Sequence, residues 1–136
     1  MDIYQQLRRD ESSRNFPYVD TTGNTTIGVG RNLSTVGLFD NEIEALLTND
    51  VARAIQVLTT RLPYFTELDP VRQGVLINMC FNLGFAGLEG FPKMLAAVAH
   101  GDWATASSEM LNSTWAKQVG DRANRLAQQI VSGQWV

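Results

Sequence analysis

Two carboxylates near the N-terminus could carry out glycoside hydrolysis. Glu11 stands at the end of a predicted helix, and Asp20 follows nine residues later in the turn sequence Asp-Thr-Thr-Gly-Asn. Hydrolysis of a glycosidic bond needs two carboxyl groups that flank the bond, one protonated and one ionised, so their surroundings should differ. A helix end and a hairpin turn can supply that difference. Surface glutamates and turn aspartates are nevertheless common, and the spacing alone favours the ordinary structural interpretation.

The other reactive side chains do not suggest a competing chemistry. The only histidine, His100, precedes a glycine at a predicted helix end, where its charge favours the helix dipole. The only cysteine, Cys80, lies in the most apolar predicted helix and is expected to pack in the core. The glycine-rich segment 28–37 lacks the lysine of a phosphate-binding loop. We therefore expect neither a metal ion nor a cofactor.

Composition and charge indicate one globular domain. The chain has 136 residues, of which 44% are hydrophobic and 18% charged, and this balance excludes disordered and coiled-coil proteins. The net charge of −3 argues against a nucleic-acid partner. The N-terminal residues contain no apolar run of signal-peptide length, and asparagines and glycines interrupt the longest uncharged stretch. We expect a monomer that is made in the cytoplasm and does not insert into membranes.

The order of the predicted elements gives an α+β fold. A helix over 2–11, with Asp2 as its N-cap, precedes a small antiparallel sheet of two or three strands within 12–38. An apolar stripe predicts a long helix over 40–62, which Pro63 ends. Further helices are predicted to begin at the capping or proline residues Asp69, Pro92, Asp102 and Asp121.

One N-terminal segment resembles the active-site lobe of phage-type lysozymes, the T-even-phage kind in glycoside hydrolase family 24. The resemblance rests on the segment LRRDESSRNFPYVDTTGNTTIGVGRNL. The family has a helix ending in glutamate, a strand, and then the pattern Asp-Thr-x-Gly-x-x-Thr-Ile-Gly-x-Gly; here Glu11 is followed by DTTGNTTIGVG at 20–30. The resemblance covers nearly the whole chain and continues at residues 47–51, 68–84, 90–91 and 121–125 and at Trp103 and Trp115.

This resemblance implies a lysozyme-like fold and a peptidoglycan substrate. In a single domain over 1–136, residues 12–38 would form a β lobe, and residues 1–11 and 39–136 a helical lobe against which the first helix packs, with a groove between the lobes. The implied reaction is cleavage of the β-1,4 bond between N-acetylmuramic acid and N-acetylglucosamine, for lysis of the host cell wall. Such an enzyme would be made in the host cytoplasm without a signal peptide and would reach the wall after the membrane is permeabilised.

The resemblance also implies roles for individual residues. Glu11 corresponds to the family's general acid, Asp20 to its second carboxylate, and Thr26 to a hydroxyl that helps to hold a water between them. Arg122 corresponds to an arginine that lies beside the catalytic glutamate. An inverting mechanism follows if a water lies between Asp20 and the sugar, because inversion needs the two carboxyl groups about 6.5–9.5 Å apart.

The positions that line the family's sugar groove are only partly matched. Asn32 and Phe81 fall at such positions. Met94 and Glu109 fall at two others, and neither is the polar residue expected there. The preference among wall types is therefore not fixed by the resemblance.

Two further departures lie close to the catalytic residues. Ser12 stands where a glycine usually follows the catalytic glutamate, and Arg31 stands where the family has a histidine. In relatives that histidine pairs with an aspartate that corresponds to Asp50. Asp50 falls on the apolar side of the long predicted helix, where an unpaired carboxylate would be costly. We therefore predict an ion pair between Arg31 and Asp50.

The sequence leaves rival functions open. A lytic transglycosylase would use the same acid but form an intramolecular anhydro sugar instead of adding water. A non-catalytic peptidoglycan-binding or virion-structural module would need neither carboxylate. Glu11, Asp20 and Thr26 are all present, and this favours a hydrolase, because Asp20 and Thr26 can orient a water. The sequence does not distinguish a free lysis enzyme from a prophage or tail-associated one.

Overall fold

The first helix, α1 (Ile3–Glu11), begins where the sequence predicts. In the computed structural model, which describes residues 1–136, the Asp2 carboxylate accepts a hydrogen bond from the backbone N–H of Gln5 at 2.8 Å. The Gln5 side chain in turn accepts one from the backbone N–H of Asp2 at 2.8 Å. This reciprocal arrangement is a capping box, which satisfies two N–H groups at the helix start. The cap fixes the helix whose last residue is the candidate acid Glu11.

A three-stranded antiparallel sheet follows, within the predicted segment 12–38. Its strands β1, β2 and β3 lie side by side in chain order and span Arg14–Val19, Thr25–Gly28 and Arg31–Asn32. Tyr18 pairs with Thr26, and Thr26 pairs with Asn32. Side chains of directly paired residues share one face of a sheet, so these three lie in a row. The small sheet among helices confirms the predicted α+β class.

The long helix α2 (Asp40–Arg61) matches the predicted span 40–62, but its apolar stripe is only partly covered. The buried members of the stripe are Ala54, Leu58 and, just after the helix, Leu62. Members of its first half that are exposed by 45–49% are Ile43, Leu46 and Leu47. Periodicity identifies the apolar face of a helix but not the element that covers it. The prediction of an inward-facing stripe is therefore wrong for the first half of α2.

Contacts within the chain divide it into two units, Met1–Leu46 and Leu47–Val136. The first unit contains α1, the sheet and the start of α2. The second contains the rest of α2 and helices α3 to α7, which span Pro70–Glu89, Pro92–Ala99, Trp103–Leu111, Thr114–Val119 and Asp121–Ser132. This division groups α1 with the sheet. The assignment of residues 1–11 to a helical lobe, which the family resemblance implies, stays a prediction.

The helices of the second unit surround a continuous hydrophobic core. Its fully buried large side chains come from α2, α3, α4, α5, α7 and the turn after α2, and include Leu58, Phe65, Leu76, Met79, Met94, Met110 and Ile130. Trp115 is also buried, and its indole N–H donates to the Asn82 side chain at 2.8 Å.

By length and composition no single helix could cross a membrane; only α3 and α4 together, bent by 106°, pass that test.

Local signals predict most helix ends of this unit but not all. Asp69 caps α3 ahead of Pro70, as predicted, and the helix is interrupted at Gly84, whose φ and ψ are not helical. Helix α6 is not predicted from the sequence, although Ser113 caps it with a hydrogen bond from the Ala116 N–H. Asp121 is the first residue of α7 rather than its N-cap, which is Gly120. Its carboxylate is therefore in the first helical turn, where negative charge also favours the helix dipole.

Candidate active site

Asp20 is held in place by the turn that follows it. Its Oδ1 accepts hydrogen bonds from the Thr22 N–H at 2.9 Å, the Thr22 hydroxyl at 2.8 Å and the Asn24 N–H at 2.9 Å. The Asn24 N–H and then the Thr22 hydroxyl lower the pKa of Asp20 below its usual value, because they stabilise the ionised form. All three bonds end on Oδ1. Asp20 is therefore an ionised, oriented carboxylate whose Oδ2 accepts no hydrogen bond from the protein.

Thr26 is tied to the same turn through Asn24. The Thr26 side chain is buried, and its hydroxyl donates to the Asn24 carbonyl at 3.2 Å. That carbonyl also accepts the backbone N–H of Asp20 at 2.9 Å. The peptide groups of Asn24 thus connect Asp20 and Thr26, and the predicted role of the two in holding a water stays a prediction. Because the Thr26 hydroxyl donates its hydrogen bond to a carbonyl, its oxygen can accept a hydrogen bond from a water.

Glu11, the last residue of α1, lies against the turn between β2 and β3. A Cβ atom on Gly30 would come within 3.0 Å of Glu11 Oε2 and 3.2 Å of Glu11 Cδ. A side chain at this position would therefore displace the carboxyl group by a few tenths of an ångström. Glu11 is solvent-exposed, which makes it accessible to a substrate.

Ser12 has an unusual backbone conformation directly after Glu11. Its φ is 67° and its ψ 167°, and it is the only non-glycine residue with positive φ in the protein. This region of φ and ψ is occupied almost only by glycine, so the serine is strained there. The family's glycine at this position has a physical reason, and the departure at Ser12 keeps the glycine-like backbone rather than changing it.

Arg31 and Asp50, which the sequence predicts to pair with each other, each form an ion pair with another residue. Arg31 Nη1 donates to Glu42 Oε1 at 2.6 Å, and this bond lowers the pKa of Glu42 and raises that of Arg31. Asp50 pairs with Arg53, one turn further along α2. The prediction assumed a buried Asp50, but its side chain is 40% exposed and has a cation within reach on its own helix. Each charge therefore has its partner within its own unit.

Two further predicted site residues, Phe81 and Arg122, belong to the second unit. Phe81 on α3 is 48% exposed and lines a groove of about 650 Å³ together with side chains of α2 that include Val57 and Arg61. Arg122 on α7 donates from Nε to the Asn78 side chain at 2.9 Å. Its predicted place beside the catalytic glutamate, and the roles of Asn32 and Phe81 in a sugar groove, stay predictions.

Both remaining groove departures line one pocket. Met94 and Glu109 lie in the wall of a cavity of about 430 Å³. Phe91 and Trp115 also line it, and their rings meet edge to face with centroids 5.9 Å apart. Met94 is fully buried, and Glu109 is half-buried. The two residues singled out from the sequence therefore line the same pocket. No three histidine, cysteine or acidic side chains lie close enough together to hold a metal ion.

Sequence reasoning missed three residues of this site. Tyr18 pairs with Thr26 across the sheet, and the Arg14 guanidinium lies 4.5 Å from its ring centroid. Its position two residues before Asp20 is the sequence signal that could have identified it. Asn24 links the two candidate water-binding side chains through its main chain, which no side-chain pattern reveals. Gly30 belongs to the Gly-x-Gly pattern, but its contact with Glu11 is visible only in three dimensions.

Comparisons with known proteins cover almost the entire chain. The family model described as phage lysozyme matches residues 8–129. The chain is 29% identical to "Probable T4-type lysozyme 1" of Dictyostelium discoideum over 96% of this chain and 94% of that protein. It is 28% identical to "Probable T4-type lysozyme 2" of the same organism, over 91% and 90%. It is also 30% identical to the "Pre-baseplate central spike protein Gp5" of Enterobacteria phage T4, over 98% of this chain but 28% of that protein.

Proposed function

This chain belongs to the phage lysozyme family and is a glycoside hydrolase that acts on peptidoglycan, and on that premise we propose that it cleaves the β-1,4 bond between N-acetylmuramic acid and N-acetylglucosamine by inversion. Glu11 is the general acid, and Asp20 with Thr26 positions the attacking water. The observation that carries this proposal is the turn that connects the two side chains: its three hydrogen bonds to Asp20 end on Oδ1, and the Thr26 hydroxyl donates to the Asn24 carbonyl of the same turn.

The water would use both acceptors. It can donate one hydrogen bond to Asp20 Oδ2 and one to the Thr26 oxygen, which leaves a lone pair for the anomeric carbon. As the new C–O bond forms, Asp20 accepts a proton from this water. The lowered pKa of Asp20 keeps the group ionised before the reaction, so that it can act as the acceptor.

Glu11 would act on the other oxygen of the reaction. Its carboxyl proton passes to the glycosidic oxygen as the bond to the anomeric carbon breaks, so the leaving sugar departs as a neutral alcohol. General acid catalysis of this kind contributes about 10²–10⁴-fold in rate. An inverting enzyme keeps its two carboxyl groups about 6.5–9.5 Å apart to leave room for the water. The first product should then be the α-anomer.

The proposed role is lysis of the host cell wall. The chain would be a monomer made in the host cytoplasm, with peptidoglycan as its partner, and would act after the membrane has been permeabilised. The similarity to part of a pre-baseplate central spike protein supports an alternative in which the chain serves within a virion. Both roles use the same hydrolytic site.

A turbidity assay on permeabilised Gram-negative cells tests the activity. The wild type should clear the suspension, Glu11→Gln should not, and Glu44→Gln, which changes another exposed glutamate, should behave as the wild type. Retained clearing by Glu11→Gln would contradict the assignment of the acid. Mass spectrometry separates the alternatives among enzymes, because a 1,6-anhydro product would identify a transglycosylase. A wild type that binds the wall without clearing cells would identify a non-catalytic binding module.

A further inference from the structure

The turn between β2 and β3 provides the surface on which the Glu11 carboxyl group rests. Gly30 in this turn has φ +71°, and a Cβ atom on it would lie 3.0 Å from Glu11 Oε2 and 3.3 Å from Glu11 Cγ. Contacts this short force the neighbour to move by a few tenths of an ångström. The absence of a side chain at Gly30 therefore admits the carboxyl group, and the backbone of the turn limits where it can go.

A second glycine of the same hairpin allows this contact to be separated from backbone effects. Gly28, the last residue of β2, has a similar positive φ of +65°. A Cβ atom on Gly28 would meet nothing within 4 Å. Both positions therefore have the same conformational preference for glycine, and only Gly30 touches the carboxyl group.

The turn is anchored by the residue that follows it. Arg31 Nη1 donates to Glu42 Oε1 at 2.6 Å and to the Gly37 carbonyl at 3.3 Å. The backbone of Arg31 also pairs with Ile27 across the hairpin. Because Arg31 directly follows Gly30, these bonds restrict the position of the turn. All of these groups belong to the same unit as Glu11.

We propose that Gly30 is a positioning residue for Glu11: in a turn anchored by Arg31 and Glu42, it sets the direction in which the carboxyl group presents its proton. This inference rests on the proposed role of Glu11 as general acid. A general acid must reach the oxygen that it protonates within hydrogen-bond distance. Misplacement by about 1 Å can cost about a hundredfold in rate, so a displacement of a few tenths of an ångström should lower kcat several-fold.

The main experiment compares Gly30→Ala with Gly28→Ala. Both should lower thermal stability by similar amounts, since both force alanine into positive φ. On soluble peptidoglycan fragments, Gly30→Ala should lower kcat by about fivefold or more with KM little changed, and Gly28→Ala should keep kcat within about twofold of the wild type. Equal losses of kcat in the two variants would overturn the proposal.

A double-mutant cycle with Glu11→Asp tests whether the effect passes through the carboxyl group. Aspartate is one methylene shorter and withdraws the carboxyl group from Gly30. The loss of kcat caused by Gly30→Ala should therefore be several-fold smaller in the Glu11→Asp background than in the wild type. Equal losses in both backgrounds would show that the methyl group acts elsewhere.

A third variant keeps the proposal testable if Gly30→Ala does not fold. Glu42→Gln weakens the anchor of the turn without adding an atom near Glu11, and should lower kcat several-fold with KM unchanged; an unchanged kcat would contradict the anchoring role. Failure of the proposed function looks different, because Glu11→Gln would then retain activity. If Glu11→Gln is inactive while Gly30→Ala and Gly28→Ala behave alike, only the positioning role fails.

Discussion

Replacing Ser12 by glycine should stabilise this protein, although most substitutions destabilise. Ser12 has φ 67° and ψ 167°, in a region that costs a residue with a side chain about 1–3 kcal/mol. Glycine removes this strain but also gives the unfolded chain more freedom, which costs about 0.4–1 kcal/mol. The Ser12 side chain is exposed, so little packing is lost. The net gain should be about 1 kcal/mol, equivalent to a rise in Tm of roughly 3–5 °C for a chain of this size.

Ser13→Gly is the matched control for this substitution. Ser13 is also an exposed serine, but it does not have a positive φ. Glycine there relieves no strain and should destabilise by about 0.5–1 kcal/mol. Urea denaturation of the wild type and both variants gives the comparison, with the slope of the transition checked for equality. If Ser12→Gly lowers the free energy of unfolding as much as Ser13→Gly does, the serine is not strained and the reasoning is wrong.

Three other substitutions test the acid, the anchoring pair and the core. Glu11→Gln should lower the cleavage rate by about 10²–10⁴-fold without changing the circular dichroism spectrum, because the amide cannot donate the proton. Glu42→Gln should destabilise the protein at neutral pH, and the gap to the wild type should shrink as the pH falls below about 4.5, because the pKa of Glu42 is lowered by Arg31 in the folded state. Leu58→Ala should cost about 2–5 kcal/mol in urea denaturation, because Leu58 is fully buried.

The Glu42 and Leu58 substitutions each have a control on the same helix, α2. Glu44→Gln should show no comparable gap that closes at acid pH, because Glu44 forms no ion pair; a gap for Glu42→Gln that stays constant down to pH 3 would show that the Arg31 bond is negligible. Leu47→Ala should cost much less than Leu58→Ala, since Leu47 is 45% exposed. Similar costs for both would mean that the first half of α2 is covered in solution.

Features set by neighbouring residues could be predicted from the sequence. The Asp2 cap and the Asp69-Pro70 start depend on contacts within one helical turn, so the pattern alone identifies them. Which residues cover the apolar face of α2, and which acidic residue pairs with Arg31, depend on distances in three dimensions. The sequence pattern does not contain these distances. The periodicity of α2 therefore predicts an apolar stripe but not the residues that cover it. The sequence likewise predicts an ion pair of Arg31 with Asp50, although Glu42, its observed partner, is nearer along the chain.

The candidate site was predictable only in part for the same reason. The spacing of Glu11 and Asp20 is common among surface residues, and the family resemblance made it specific. The resemblance supplies residue types, and it does not describe how main-chain groups connect them. The Asn24 carbonyl that joins Asp20 to Thr26, and the contact of Gly30 with Glu11, therefore had to come from the structure.

The bonding of Asp20 divides its two oxygens between different tasks. Oδ1 holds the turn together through three hydrogen bonds, and Oδ2, which accepts none of them, is the oxygen that we propose for the reaction. One proton would disturb both tasks, since the hydrogen bonds that lower the pKa of Asp20 favour the ionised form alone. The stabilisation that these hydrogen bonds provide is present above the usual pKa of about 3.8. It is lost as the pH falls through the lower pKa of the folded state. Acid would therefore neutralise the proposed base and weaken the turn that holds it through one protonation, so the charge that the proposed reaction needs also stabilises the loop that carries it.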